Sequence, residues 1–271
     1  MTRIGRLFDS LKRENRKGLI AYLTAGDPTP DRTPALVDAM VRGGADLIEL
    51  GVPFSDPIAD GPVIQRAGER ALKAGTTLAG VLAIARRIRQ DSGVARDVPL
   101  LLFTYLNPVL RYGLERLGAD AAAAGIDGCL LTDASVEEAQ AYVAAMHRHG
   151  LDTVFLAAPT STARRIKLVA QYSTGFVYLV SRTGVTGEQQ SISAAIAPLI
   201  RAVRAATSLP LAVGFGVSTP EHVAELGSQV EAVVVGSAFV RLIEQNADNA
   251  SLEIQLESFT RELKRGFGVT V

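Results

Sequence analysis

The sequence is poor in the residues that form covalent and metal cross-links. It holds one cysteine, Cys129, three histidines and no tryptophan in 271 residues. One cysteine cannot form an intramolecular disulfide, and a zinc site built from several cysteines is excluded. We therefore expect a protein of the reducing cytoplasm, whose stability rests on the large buried core that a chain of this length can build.

An excess of charge of one sign and long apolar runs are also missing. The 28 basic residues balance the 28 acidic ones, so the net charge is zero. This balance argues against nucleic acid or an anionic membrane as the main partner. No stretch approaches the ~18 uninterrupted apolar residues of a membrane span, and the N-terminus lacks the apolar core of a secretory signal. We expect a globular protein that binds neither nucleic acid nor membrane.

Eight short apolar runs alternate with longer stretches of helical pattern. The runs are mostly continuous, which is typical of strands covered on both faces. The strands are predicted at 19–24, 47–51, 99–104, 128–132, 153–157, 176–181, 211–214 and 232–236. Helical patterns between them include 31–42, 78–90, 136–149, 193–205 and 220–226.

This alternation predicts an α/β fold with parallel strands and right-handed crossovers. Eight such units in about 250 residues fit a single closed (β/α)8 TIM barrel. A doubly wound sheet usually has fewer strands and a GxGxxG after the first, where this chain has TAGDPTP. We find no linker, and predict one domain over residues 1–271. An added N-terminal helix over about the first 12 residues would close the barrel bottom, and a final helix would cover 251–266.

In such a barrel the chemistry belongs at the carboxyl ends of the strands. The second predicted strand and its loop read LIELGVPFSDPIADG, and Glu49 interrupts the apolar strand. One interpretation is a solvated loop with capping aspartates and a strand carboxylate bonded to a backbone amide. The other is a working pair, Glu49 on a rigid strand and Asp60 on a movable loop, whose environments hold their pKa values apart.

Small-residue turns follow the seventh and eighth strands, in GFGVSTPEHV at 214–223 and VVVGSAFVR at 233–241. They fit tight turns with a helix cap, or a phosphate site of backbone N–H groups helped by the hydroxyl of Ser237. Two turns at the strands where this fold binds phosphate favour the second interpretation. After the sixth strand, residues 181–191 have the glycines and polar residues of a mobile lid. Tyr178 in that strand either faces the barrel mouth or packs in the core.

The sequence lacks the residues that several classes of reaction require. The three histidines fall in helical patterns, so a zinc aldolase is disfavoured. None of the five lysines ends a strand, so a Schiff-base aldolase lacks its nucleophile. No GxSxG elbow is present. Acid–base chemistry by carboxylates remains, without a metal and on a phosphorylated substrate.

Six segments together carry a family resemblance. They are LIELGVPFSDPIADGPVIQ from residue 47, LTAGDP from 23, TYLNP from 104, YLVSRTGVTG from 178, GFGVS from 214 and VGSAFV from 235. In order and spacing they resemble the tryptophan synthase alpha chain family over nearly the whole chain. The first segment is specific to that family, whereas the glycine turns alone occur in many phosphate-binding barrels.

The resemblance implies a lyase of tryptophan biosynthesis that cleaves indole-3-glycerol phosphate to indole and glyceraldehyde 3-phosphate. It assigns catalysis to Glu49, Asp60 and Tyr178. It assigns the phosphate to Gly187, Gly216, Gly236 and Ser237, with Phe215 beside them, and adds Gly214 to the substrate-binding residues. The indole pocket would then be formed by Tyr22, Ile64, Phe103 and Leu130.

The resemblance also implies a partner. The family works with a beta chain that carries pyridoxal phosphate, in an alpha2beta2 heterotetramer, and the alpha chain itself needs no cofactor. One departure lies after the fourth strand, where Ala134 and Ser135 replace the family's apolar–proline pair. Alternatives are a stand-alone lyase that releases free indole, a catalytically idle activating subunit, and another phosphate-binding isomerase barrel.

Overall fold

The computed structural model describes residues 1–91, 93–180, 192–214 and 216–268, with backbone only for 192–195. The described residues form eight parallel strands hydrogen-bonded in sequence order, and the eighth pairs with the first to close a barrel. The strands are β1 Gly18–Thr24, β2 Leu47–Gly51, β3 Leu100–Thr104, β4 Gly128–Leu131, β5 Asp152–Ala157, β6 Val177–Val180, β7 Leu211–Gly214 and β8 Ala232–Val235.

Helices connect the strands over the outside of the barrel. Those in the described part of the chain are α1 Arg3–Arg13, α2 Thr33–Arg42, α3 Pro62–Lys73, α4 Leu78–Asp91, α5 Leu106–Tyr112, α6 Leu114–Ala123, α7 Gln140–Arg148, α8 Ala163–Tyr172, α9 Ile192–Arg204, α10 Pro220–Gly227, α11 Ser237–Gln245 and α12 Leu252–Arg265. The TIM-barrel prediction is therefore confirmed. The helix predicted over 136–149 is wrong in one respect, because it opens as a separate 3-10 turn, Val136–Glu138, before α7.

Alternation along the strands divides the core into two layers. Ile20, Leu101 and Val154 belong to a cluster inside the barrel, whereas Leu19 and Ile48 belong to the larger cluster between barrel and helices. Because successive strand side chains point to opposite faces, both faces must be apolar. This is why the strands appear in the sequence as continuous apolar runs.

The N-terminal helix α1 packs on the inner cluster. Its buried residues Ile4, Phe8 and Leu11 join that cluster, and Phe8 contacts the ring of Phe176 at 5.6 Å between centroids. The hydroxyl of Thr2 caps the helix by accepting a hydrogen bond from the Gly5 amide at 3.1 Å. The predicted closure of the barrel by an N-terminal helix is confirmed. No helix in the described ranges is long and apolar enough to cross a membrane.

Candidate active site

A cavity of about 350 Å³ opens at the carboxyl ends of the strands. It gathers many of the predicted site residues, which come from strands and loops far apart in sequence: Tyr22, Glu49, Asp60, Ile64, Phe103, Tyr178, Gly216, Gly236 and Ser237. Register explains part of this arrangement, since Glu49 of β2 lies between Tyr22 of β1 and Leu101 of β3. The barrel thus places two carboxyl groups and three aromatic rings around one space.

Glu49 is the most buried ionisable group of the cavity. Its side chain extends from the middle of β2, only 1% of the residue is exposed, and Oε1 accepts no hydrogen bond from any described residue. Burial therefore raises the pKa of Glu49 to about 8. A carboxyl group with this pKa carries its proton at neutral pH and can donate it to a substrate.

Asp60 differs from Glu49 in its surroundings. It lies in the loop between β2 and α3, and partial burial raises the pKa of Asp60 to about 6, while a hydrogen bond with Tyr105 acts in the opposite direction. At neutral pH Asp60 is mostly ionised and can accept a proton or a hydrogen bond. The two environments hold the two pKa values apart, as an acid–base pair requires.

Contacts on both sides fix the loop that carries Asp60. The Ala59 amide donates a hydrogen bond to the Tyr105 hydroxyl at 3.1 Å, and Gln65 Nε2 donates to the Asp60 carbonyl at 2.8 Å. The Asp60 amide donates to the carbonyl of Pro57 at 3.1 Å. The sequence predicted a movable loop here, and in this structure it is held by a tyrosine from the end of β3.

Two tyrosines reach the cavity because glycines on neighbouring strands leave them room. A Cβ atom at Gly51 would lie 2.2 Å from the Tyr22 hydroxyl, and one at Gly214 would lie 2.0 Å from the Tyr178 hydroxyl. Burial and the nearby Glu49 raise the pKa of both phenols, so both stay protonated at neutral pH. Gly214 was predicted to bind substrate, but in this structure it adjoins Tyr178 and is absent from the cavity wall described.

The apolar side of the cavity is built around an aromatic pair. Tyr22 and Phe103 meet edge to face at 5.2 Å between centroids, and Ile64 of α3, like Phe103, packs against the cluster that contains Tyr22. Leu130 was expected here, but it is fully buried in the cluster inside the barrel, and Leu156 lines the cavity instead. The strands of a barrel are staggered, so the inward-facing residues of β4 and β5 lie at different heights along the barrel axis. Leu130 therefore lies deeper than Leu156.

The predicted phosphate end contains one helix N-terminus instead of two. Gly236 directly precedes α11, whose first residue is Ser237, but α10 begins only at Pro220, capped by the Thr219 hydroxyl. Gly216 therefore lies in a loop ahead of the helix. Its φ of +78° belongs to the left-handed region, and none of the described residues beyond its chain neighbours lies within 4 Å of a Cβ built there. Gly187 and Phe215 lie outside the described residues, as does the predicted lid at 181–191.

Sequence reasoning missed Arg241, which also lines the cavity. Arg241 lies outside the two glycine turns, one helical turn beyond Ser237 on α11. Spacing of four residues on α11 places both on one face, which was the available signal. Thr132 and Ser218 were likewise missed as polar lining residues. In the described part of the chain no three His, Cys, Asp or Glu residues are grouped to hold a metal ion.

Known proteins that are similar to this chain in sequence and fold belong to one family. The family model described as tryptophan synthase alpha chain matches residues 8–267. The chain is 87% identical to the tryptophan synthase alpha chain of Solibacter usitatus over 99% of both chains. It is 47% identical to that of Geobacter sulfurreducens, over 99% of this chain and 100% of the relative.

Solved structures agree with the sequence comparisons. A crystal structure of tryptophan synthase subunit alpha from Legionella pneumophila superimposes with a TM-score of 0.90, at 34% identity and over 99% of both chains. A chain of Mycobacterium tuberculosis tryptophan synthase gives a TM-score of 0.88 at 38% identity, again over 99% of both chains.

Proposed function

The chain belongs to the tryptophan synthase alpha chain family and is a lyase that cleaves indole-3-glycerol phosphate in tryptophan biosynthesis; we propose that the cleavage takes place in the cavity at the barrel mouth, with Glu49 and Asp60 as its proton-transferring groups. The observation that carries this proposal is the buried carboxyl of Glu49, whose Oε1 has no partner among the described residues. A buried polar atom without a partner is costly, and a substrate atom would supply the partner.

The reaction breaks the bond between C3 of the indole ring and the hydroxyl-bearing carbon of the glycerol phosphate. A proton adds to C3, the hydroxyl loses its proton as its carbon becomes the aldehyde, and the electrons of the broken bond return to the ring. Glu49 can donate the first proton because its raised pKa keeps it protonated. The resulting carboxylate then accepts the hydroxyl proton, so Glu49 ends as it began.

Asp60 acts at the other side of the ring. As a carboxylate it accepts the hydrogen bond of the indole N–H and takes that proton while C3 becomes tetrahedral, and it returns the proton when indole forms. Its pKa of about 6 keeps it ionised at neutral pH. Tyr178 completes the catalytic set as a protonated phenol at the level of Glu49, where it can donate a hydrogen bond to the reacting hydroxyl.

Binding follows the polarity of the cavity. The apolar wall of Tyr22, Ile64 and Phe103, completed by Leu156, suits the neutral indole ring. The phosphate would meet the amide of Gly216 in the loop after β7 and those of Gly236 and Ser237 at the N-terminus of α11, where the helix dipole favours an anion. Family resemblance adds Gly187 to this end, with Phe215 beside it.

No cofactor has a role in this chemistry, because two carboxyl groups account for every proton that moves. Pyridoxal phosphate belongs to the beta chain of the proposed alpha2beta2 complex, which would receive the indole. We place the protein in the cytoplasm and treat residues 1–271 as one domain. The single cysteine, Cys129, is buried, which suits a reducing compartment.

Exposed apolar residues at the mouth support the beta-chain partner. Ile58 is 83% exposed and lies two residues from Asp60, and Leu110 of α5 is 56% exposed. The amide at the start of α5 donates to Asp133 at 2.7 Å, which joins this helix to the loop that carries Ala134 and Ser135. A chain that covers Ile58 would contact the Asp60 loop directly, and so influence the reaction.

Indole release from indole-3-glycerol phosphate tests the proposal. We expect the parent chain to release indole, and Asp60→Asn to lose on the order of 10²-fold or more in turnover because an amide cannot take the ring proton. Wild-type-like turnover of folded Asp60→Asn would remove Asp60 from the mechanism. An inactive parent chain would instead favour the idle-subunit alternative.

Addition of a tryptophan synthase beta chain separates the two lyase alternatives. We expect the beta chain to stimulate indole consumption by the parent, and Ile58→Asp to reduce that stimulation. Ile254→Asp is the control, because this isoleucine of α12 is similarly exposed, at 70%, but lies outside the mouth loops. Absence of any stimulation of the parent would favour a stand-alone lyase.

A further inference from the structure

Four charged side chains connect three elements at the mouth of the barrel. Arg70 of α3 donates from Nε and Nη2 to the two carboxylate oxygens of Asp27, at 2.8 and 2.9 Å. Its third nitrogen, Nη1, donates to Glu244 of α11 at 2.8 Å. Arg66, one turn earlier on α3, binds both oxygens of Glu244 at 2.7 and 2.8 Å. One guanidinium is thus shared between two carboxylates from opposite ends of the sequence.

The inner half of this network is buried. Asp27, in the loop after β1, is 1% exposed, whereas the side chains of Arg70 and Glu244 are 30% and 24% exposed. A buried carboxylate needs a partner that matches its geometry, and the planar fork of arginine supplies two parallel hydrogen bonds. Lysine has no such fork, so it could not hold Asp27 and Glu244 together in the same way.

The position of the network relates it to the candidate active site. The helix α3 begins two residues after Asp60 and carries Ile64, which lines the cavity. The helix α11 begins at Ser237, at the phosphate end. Arg70 therefore connects the helix that follows the proton acceptor to the helix that opens the anion site, and secures both to the first strand's loop.

We propose that Arg70 is a positioning residue, which fixes the separation of α3 and α11 and with it the distance between Asp60 and the phosphate turn. The inference rests on the proposed function, because only a substrate that spans both ends of the cavity is sensitive to this distance. Misplacement of a reacting group by about 1 Å can cost on the order of 10²-fold in rate.

Two variants release different parts of the network. Arg70→Met keeps the length of the side chain but releases Asp27 from α3, and leaves the pair of Arg66 with Glu244 as the remaining link between α3 and α11. Glu244→Leu frees α11 alone and leaves the buried pair of Arg70 with Asp27 intact, so it remains informative if Arg70→Met fails to fold. Arg66→Met is the matched control on α3, since it removes an exposed ion pair and keeps the bridge of Arg70. Arg204→Met removes a comparably exposed pair with Glu231 outside the cavity.

The experiment measures the dissociation constant of glycerol 3-phosphate, and kcat and KM for indole release. We expect Glu244→Leu to weaken glycerol phosphate binding and raise KM by about tenfold with a small change in kcat. Arg70→Met should show the same loss of affinity together with a fall in kcat of tenfold to about 10²-fold. Arg70→Lys should recover part of the affinity, and both control variants should stay within about twofold of the parent.

A purely structural role would lower the amount of folded protein without this division between KM and kcat. The inference is overturned if folded Glu244→Leu and Arg70→Met bind glycerol phosphate like the parent, or if Arg204→Met weakens binding as much as they do. Failure of the parent itself to bind glycerol phosphate would overturn the proposed function, and this inference with it.

Discussion

Glu49 keeps its proton because the strand around it offers nothing that would stabilise the charge. Its neighbours on the inner face of the barrel are apolar side chains and phenols, and burial alone accounts for its raised pKa. Asp60 receives a hydrogen bond from Tyr105, and its pKa is raised less. One hydrogen bond and partial exposure to solvent thus lower the pKa of Asp60 relative to that of Glu49, so one group acts as a base and the other as an acid in the same cavity.

Replacement of Glu49 by glutamine tests its role directly. Glutamine has nearly the same shape but can neither donate nor accept the protons of the reaction. Since each acid–base role contributes on the order of 10²–10⁴-fold and Glu49 is assigned two, we expect turnover to fall by at least the lower figure in a chain that still folds. Indole release within about tenfold of the parent rate would contradict the assignment.

The pH dependence of the reaction should report both carboxyl groups. Activity needs Asp60 ionised and Glu49 protonated, so kcat/KM should fall as the pH drops through about 6 and as it rises through about 8. Tyr105→Phe removes the hydrogen bond that lowers the pKa of Asp60. This variant should therefore lose activity at a higher pH on the acid side and leave the alkaline side in place. A profile of Tyr105→Phe identical to the parent's would contradict this account of Asp60.

At the scale of the element, the strands were predictable and their heights in the barrel were not. Doubly covered strands are continuous apolar runs, so the predicted bounds agree with the structure to within about one residue, inside the usual uncertainty of element ends. The stagger of a barrel is fixed by all eight strands together. It places Leu130 in the inner core and Leu156 at the cavity, which no single strand indicates.

The turn at Gly216 should depend on its backbone more than on any side chain. Alanine at a φ of +78° is strained, and relief of the strain would move the amides, so Gly216→Ala should raise the dissociation constant of glycerol phosphate by roughly tenfold. Ser237→Ala should have a smaller effect, because the amides of α11 remain.

The control for this turn is Gly113→Ala. Gly113 has a φ of +94° between α5 and α6, away from the cavity, so its replacement should bring similar strain without loss of affinity. If Ser237→Ala proves more damaging than Gly216→Ala in folded protein, the hydroxyl dominates and the turn is secondary.

At the scale of the molecule, the candidate site could be predicted from the residues where one segment is distinctive by itself, and elsewhere only through the family resemblance. Glu49 and Asp60 lie eleven positions apart in an unusual segment, and both line the cavity. The network of Asp27, Arg70 and Glu244 joins three distant segments, each with an ordinary charged residue of an ordinary helix or loop. These three residues come into contact only when the barrel closes and brings the first and last strands together, so no single segment of the sequence indicates the network.

Protein stability should decrease as Glu49 is forced to ionise. The pKa of Glu49 is about 8 in the folded chain and 4.5 in the unfolded chain, so between these two pH values the folded chain holds a proton that the unfolded chain releases. Stability is therefore highest below pH 4.5 for this group and is lost as the pH rises through 8. From pH 6 to pH 9 the parent should lose about 3 kcal/mol relative to Glu49→Gln, which cannot ionise. Urea unfolding at the two pH values measures this, and an unchanged difference between the two proteins would contradict it.

The close approach of Tyr22 to Gly51, and of Tyr178 to Gly214, has an evolutionary consequence. Each phenol fills the space that a side chain on the next strand would need, so the two positions of a pair cannot drift independently. A larger residue at either glycine fits only after the facing tyrosine has been replaced by a smaller residue, because in the reverse order two side chains would occupy the same space. Substitutions at the two positions of a pair therefore depend on each other. This dependence limits the orders of mutation by which the pocket could change to bind another ring-shaped substrate.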